Sequence, residues 1–233
     1  MRVPKNYYYY YQSWWTAQDV LHIYPHWNWK GHEGDTISVW CNSNCEKVEL
    51  FLNGKSLGTK AMPLNSHLEW KVAYKPGTLE ARGTKDGTRD VMKNVTKIVT
   101  KIVTKIETTG EPVTIVLSPD RSSINADGED VSVVNVSVLD EKGREVPDAM
   151  NLIKFELKGE GRIIGVGNGD PSSHEADKCK EGSWQRQLFN GKCQVIVQSQ
   201  GNPGNMEVVA TSGSMKLASV IIAVQGGKVR EGL

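Results

Sequence analysis

The sequence predicts an all-β chain of two β-sandwich domains in series, preceded by one short helix. Three observations carry this. Short apolar-alternating runs recur with a Gly-, Pro-, Asn- or Asp-rich turn roughly every 8–12 residues, the spacing of sandwich strands. A polar joint, Glu107-Thr108-Thr109-Gly110-Glu111-Pro112, divides the series in two. The aromatic residues crowd one end: six of seven tyrosines and four of seven tryptophans lie between Asn6 and Gly34.

Taken in order, Pro4 to Thr16 reads as the helix. Pro4 fits a first turn, where a missing N–H is harmless, and Tyr7, Tyr8, Tyr11, Trp14 and Trp15 share one face at helical spacing. Tyrosines also suit strands, so a strand is the competing reading. The period changes at Val20. Val20 to Tyr24 is a strand stopped by Pro25, and Thr36 to Cys41 alternates. Lys47 to Leu52 and Lys55 to Thr59 flank Asn53-Gly54, which supplies the two positive-φ positions of a tight hairpin. His67 to Tyr74 and Thr78 to Thr84 follow, with a turn expected at Lys85-Asp86-Gly87.

Val95 to Ile106 is Val-Thr-Lys-Ile written three times. Its apolar residues recur at helical intervals, yet nine of its twelve residues are β-branched, which disfavours helix. We read an over-long strand, lengthened by a two-copy tandem insertion, whose alternating lysines protect an edge. The second series begins at Val113. Thr114–Leu117, Val131–Leu139, Ile153–Leu157, Gly161–Val166, Lys192–Gln198, Met206–Thr211 and Leu217–Val224 give about seven strands, the count of an immunoglobulin-like sandwich. The domain plan is therefore 1–18 helical segment, 19–107 first sandwich, 108–111 linker, 112–225 immunoglobulin-like sandwich and 226–233 loose tail.

Composition limits the partners. The net charge is +1, from 28 basic and 27 acidic residues, which is no electrostatic footprint for nucleic acid or an anionic membrane. Mean hydropathy is −0.42 and no apolar run approaches a membrane span. No signal-peptide pattern opens the chain; Arg2-Val3-Pro4-Lys5 reads as cut from something longer, with Met1 added. Four cysteines are few for a disulfide framework. Cys41 and Cys45 lack a second ligand pair at zinc spacing, and Cys41 reads as a buried thiol. Cys179 and Cys193 flank a polar loop and could pair if oxidised.

No catalytic residue, metal site or cofactor motif stands out: there is no G-x-S-x-G, phosphate loop or H-E-x-x-H. The visible carboxylates, such as Asp86, Asp127 and Glu141, sit in turns beside Gly or Lys rather than as an acid–base pair. Two stretches could contact a ligand. His26-Trp27-Asn28-Trp29 offers flat rings beside an amide, the chemistry of a sugar contact; the commoner role of such tryptophans is packing. Asn168, Asp170, His174 and Glu175 gather polar groups in a Gly-rich loop; the commoner role of such a loop is a turn satisfied by its own side chains.

The motifs also resemble a family. Pro4-Lys5 with the aromatic run to Trp14-Trp15, then Leu21-His22-Ile23-Tyr24-Pro25-His26-Trp27-Asn28-Trp29 and Gly31-x-Glu33-Gly34, resemble the junction between catalytic barrel and next domain in glycoside hydrolase family 2 β-galactosidases of gut Bacteroides type. Val48-Glu49-Leu50-Phe51-Leu52-Asn53-Gly54-Lys55-Ser56-Leu57-Gly58 resembles the same post-barrel domain. Ile124 to Gly128, and Gly165 to Pro171 with His174-Glu175, resemble the family's final immunoglobulin-like domain. The threefold repeat departs from the pattern.

The resemblance implies an upstream barrel that carries both catalytic glutamates, a helix left from that barrel at the start of this chain, and a periplasmic or extracellular parent. It implies that Tyr7, Tyr8, Tyr11, Trp14 and Trp15 face the barrel, with His26 to Trp29 a further barrel or carbohydrate contact. Left uncovered, such rings would promote self-association through that end.

Overall fold

The computed structural model describes residues 4–91 and 94–226, with side chains undescribed over 86–100. It divides into two compact units, up to Thr108 and from Thr109 on.

The first unit opens with α1 (Asn6–Trp15) and has β1 (Leu21–Tyr24), β2 (Thr36–Ser43), β3 (Lys47–Leu52), β4 (Lys55–Ala61), β5 (Leu68–Ala73), β6 (Thr78–Val91) and β7 (Asn94–Glu107). These form two sheets, β1-β2-β5 and β4-β3-β6-β7. Alternation decides which residues meet between them: Ile23, Val39, Cys41, Leu68, Trp70 and Val72 from one sheet share a core with Val48, Leu50, Leu52, Leu79 and Ala81 from the other. Asn53 and Gly54 have φ of 50° and 81°, as the β3–β4 hairpin requires.

The expected turn at Lys85-Asp86-Gly87 is corrected: β6 runs through it to Val91. The reason is a partner. The threefold repeat is strand, not helix, and β7 pairs antiparallel with β6 from Thr78↔Glu107 to Val91↔Asn94. β3 pairs with β6 only over Leu79 to Thr84, so the hairpin continues past the sheet it starts from.

The second unit has β8 (Thr114–Pro119), β9 (Ser123–Asn125), β10 (Val131–Leu139), β11 (Leu152–Gly159), β12 (Gly161–Gly167), β13 (Gln185–Gln187), β14 (Lys192–Ser199), β15 (Gly204–Thr211) and β16 (Ala218–Gln225). Sheets β12-β14-β10-β8 and β13-β11-β15-β16-β9 enclose one core, with Val134, Val136, Val195 and Val197 from the first against Ile153, Phe155, Val208 and Ile222 from the second. The strands β9 and β13, three residues each, are additions to the sequence reading. The expected tail lies outside the described residues beyond Gly226.

Asp140 closes this unit's N-terminal edge. Its carboxylate accepts from the backbone N–H of Gly110 (2.9 Å), Lys142 (2.9 Å) and Arg144 (2.9 Å), and from Arg144 Nη2 (2.6 Å). Burial opposes ionisation here, but the Arg144 guanidinium and the amides outweigh it and hold the carboxyl well below its usual range.

An aromatic helix across the first sheet: the candidate functional site

The outer face of β1-β2-β5 positions the site. Antiparallel register sets His22 beside Asn42, Tyr24 beside Trp40, and Trp40 beside Glu69. Helix α1 lies against the His22/Asn42 end. Tyr9 stacks on the His22 ring at 3.8 Å and 15°, and His22 Nε2 lies 3.0 Å from Asn6 Oδ1. With that oxygen as acceptor, Nε2 carries the proton. Burial lowers the His22 pKa to about 4. Asn42 Nδ2 donates to Asn6 O (3.1 Å), Tyr10 Oη to Asn65 O (2.8 Å) and Trp14 Nε1 to Ser66 O (3.2 Å).

This divides the predicted stripe. Trp14 is half-buried at the edge of the stripe, where its Nε1 reaches the loop at Ser66. Tyr7 (77% exposed), Tyr8 (53%), Tyr11 (48%) and Trp15 (77%) form the opposite arc. Four adjoining rings in water are unusual for a single short helix.

Beyond the helix edge the sheet stays open, leaving a groove of about 540 Å³. Trp40 and Tyr24 form its floor with Asn42, Tyr7 and Tyr11 stand on the helix side, and His67 stands opposite. Trp40 meets Tyr24 edge-on at 5.6 Å and His67 at 5.6 Å. The Glu69 carboxylate, beside Trp40, is held below its usual range by Lys71 first and then by the Trp40 side chain. Among the described residues no aspartate, glutamate, lysine or arginine lines the groove. Sequence reading missed it because its parts come from four separate segments. The available signal was Trp40 itself, which breaks the polar phase of Ser38 and Asn42 on β2.

Of the stretch His26–Trp29, Trp27 is wholly enclosed. Its Nε1 donates to Lys75 O (2.9 Å) and its ring meets Tyr74 edge-on at 5.2 Å. As a sugar or barrel contact Trp27 is therefore corrected: it plugs its own core. Asn28 is buried too, with its backbone N–H donating to His26 Nδ1 (3.2 Å). Trp29 is half-buried, stacks with His26 at 5.1 Å and donates to His26 O (3.0 Å).

The loop with Asn168, Asp170, His174 and Glu175 is organised by Arg186, which sequence reading did not single out. Buried Arg186 donates to Glu175 O (3.1 Å), Asp177 Oδ1 (3.0 Å), Asn168 Oδ1 (3.3 Å) and Ser173 Oγ (3.3 Å). Asp170 Oδ1 accepts from Ser172 N–H (2.9 Å) and Oγ (2.7 Å), and Glu175 Oε2 accepts from Gln187 N–H (3.0 Å). Asn168, Asp170 and Glu175 are thus spent on the loop's own structure. Among the described residues no group of three or more His, Cys, Asp or Glu could hold a metal. All four cysteines are free thiols; burial pushes Cys41 and Cys193 up to about 12, first by desolvation.

The fold and site define a class: paired-sheet β domains in series, the first carrying an aromatic helix on its outer face. Residues 115–221 match the model described as glycoside hydrolase family 2 C-terminal domain 5, and residues 34–89 match a domain of unknown function (DUF4982). Beta-galactosidase BoGH2A of Bacteroides ovatus is 43% identical over 95% of this chain and 24% of its own length. A putative beta-glucuronidase of Formosa agariphila is 32% identical over 89% of this chain and 19% of its own. Among solved structures, a glycosyl hydrolase family 2 member from Bacteroides cellulosilyticus superposes with a TM-score of 0.81 at 30% identity, over 94% of this chain and 31% of that one. The chain belongs to glycoside hydrolase family 2, as its C-terminal region. It spans about a quarter or less of the curated relatives' length.

Proposed function

We propose that this region is a non-catalytic brace for the catalytic domain of a family 2 glycosidase that cleaves β-galactosides, with α1 as the contact. The exposed arc of Tyr7, Tyr8, Tyr11 and Trp15 carries the reading. Covering one such ring stabilises by roughly 1.5–3 kcal/mol. The opposite face of α1 is tied to its own domain by the Tyr9–His22 stack and the Tyr10 and Trp14 hydrogen bonds, so a force on the arc passes into the sheet. Galactoside as substrate rests on the similarity to the Bacteroides ovatus relative.

The pure chain should turn over no nitrophenyl β-galactoside and should self-associate in sedimentation velocity. The quadruple variant Tyr7→Ser, Tyr8→Ser, Tyr11→Ser, Trp15→Ser should remain monomeric. Turnover by the chain alone, or association unchanged in the variant, would overturn the reading.

A further inference from the structure

The groove beside α1 has chemistry that bracing does not need. Trp40 lies mid-strand on the face that alternation assigns to solvent, and it is 40% exposed at the groove floor. Its ring is fixed between Tyr24, edge-on at 5.6 Å, and His67 at 5.6 Å, so it presents a set plane. Two residues along the same face, Asn42 is buried and half-satisfied. Its Nδ2 donates to Asn6 O, while Oδ1 has no partner. An unpartnered buried carbonyl is destabilising and calls for a donor. Tyr24 Oη lies 3.5 Å from Asn42 Nδ2, and the Tyr7 and Tyr11 rings form the wall above.

A flat apolar plane beside neutral hydrogen-bonding groups, in a groove within the usual size range of small-molecule sites, fits a ligand with one C–H face and several hydroxyls. Among the described residues no lysine or arginine lines the groove, which argues against phosphate and carboxylate alike; Glu69, next to Trp40 in register, is already paired with Lys71 at 2.7 Å. We propose that this groove is a subsite for a neutral pyranoside, with the sugar's apolar face on Trp40 and a hydroxyl donating to Asn42 Oδ1. On binding, the Asn42 amide rotates to present that oxygen, which is enclosed in this structure. The subsite goes beyond the bracing role and involves no bond making or breaking.

The test is an NMR titration of the ¹⁵N-labelled chain with methyl β-galactopyranoside and, in parallel, methyl β-glucopyranosiduronic acid, following the indole N–H signals. The galactoside should shift the Trp40 signal saturably in the millimolar range, with Trp184 unmoved as internal control. The uronide should shift it several-fold less, because the groove offers its carboxylate no cation. Trp40→Ala should abolish saturable shifts elsewhere in the groove, whereas Trp40→Phe, which keeps a ring, should retain weaker binding. Dispersed amide signals would establish that both variants fold. No galactoside-dependent shift at Trp40, equal shifts for both sugars, or undiminished binding in Trp40→Ala would overturn the proposal.

Discussion

Replacing His22 by phenylalanine should flatten the acid sensitivity of the first domain. The neutral imidazole stacks under Tyr9 and reaches Asn6, and burial lowers its pKa to about 4 against an ordinary 6.5. Because the folded value lies below the unfolded one, the unfolded chain binds the extra proton. Stability from this site is therefore complete above about pH 6.5 and is lost as pH falls towards 4. At about 1.36 kcal/mol per tenfold, the full separation corresponds to roughly 3 kcal/mol. The ring retains water contact, and screening reduces the expected effect to about 1–2 kcal/mol.

Phenylalanine keeps the stack and removes the titration. Urea unfolding followed by tryptophan fluorescence suits the assay, since six of seven tryptophans precede Thr108. Between pH 7 and pH 4 the parent chain should lose about 1–2 kcal/mol more than His22→Phe. Parallel curves for the two proteins would refute the reasoning.

Other perturbations follow from single residues. Trp27→Ala should cost the first domain about 3–5 kcal/mol, from the cavity and the lost bond to Lys75 O, measured by denaturant unfolding. Asp140→Ala should cost the second domain about 2–4 kcal/mol, since it removes the acceptor shared by the Arg144 side chain and three backbone donors. The same carboxylate's depressed pKa predicts stability that is complete above the unfolded carboxylate range and declines as pH falls below about 4, a decline absent from Asp140→Ala. Arg186→Met should speed limited proteolysis between Asn168 and Asp177 while leaving the groove's titration unchanged.

Legibility followed the physics of each element. Strands with one buried face announced themselves: β10 alternates through Val134, Val136 and Val138, and β3 and β4 carry their own turn. The helix was readable from ring spacing, which also placed four of the five outward rings. Spacing gives the arc but not its edge: Trp14 is half-buried because Ser66, far along the chain, meets it there. The strand β13 was invisible because Gln185-Arg186-Gln187 has no apolar alternation; it is set by antiparallel pairing with β11, and its middle residue is buried through polar contacts of Arg186. Glycines were weak evidence at Gly87, where composition indicates a turn but a long facing strand supplies the pairing that keeps the chain extended. The groove was the least legible feature: Trp40 stands out on β2, but Asn42 and the loop residue His67 look ordinary, and the floor exists only because the register sets Tyr24 beside Trp40.

The most direct measurement is hydroxyl-radical footprinting of Tyr7, Tyr8, Tyr11 and Trp15 in the chain alone and in a protein where the same chain follows a family 2 catalytic domain. Leu217 and Ile221, exposed in the second domain, serve as the reference. The account predicts strong oxidation of all four rings in the isolated chain and marked protection when the catalytic domain is attached, with the reference residues unchanged. Equal oxidation of the rings in both proteins would contradict it.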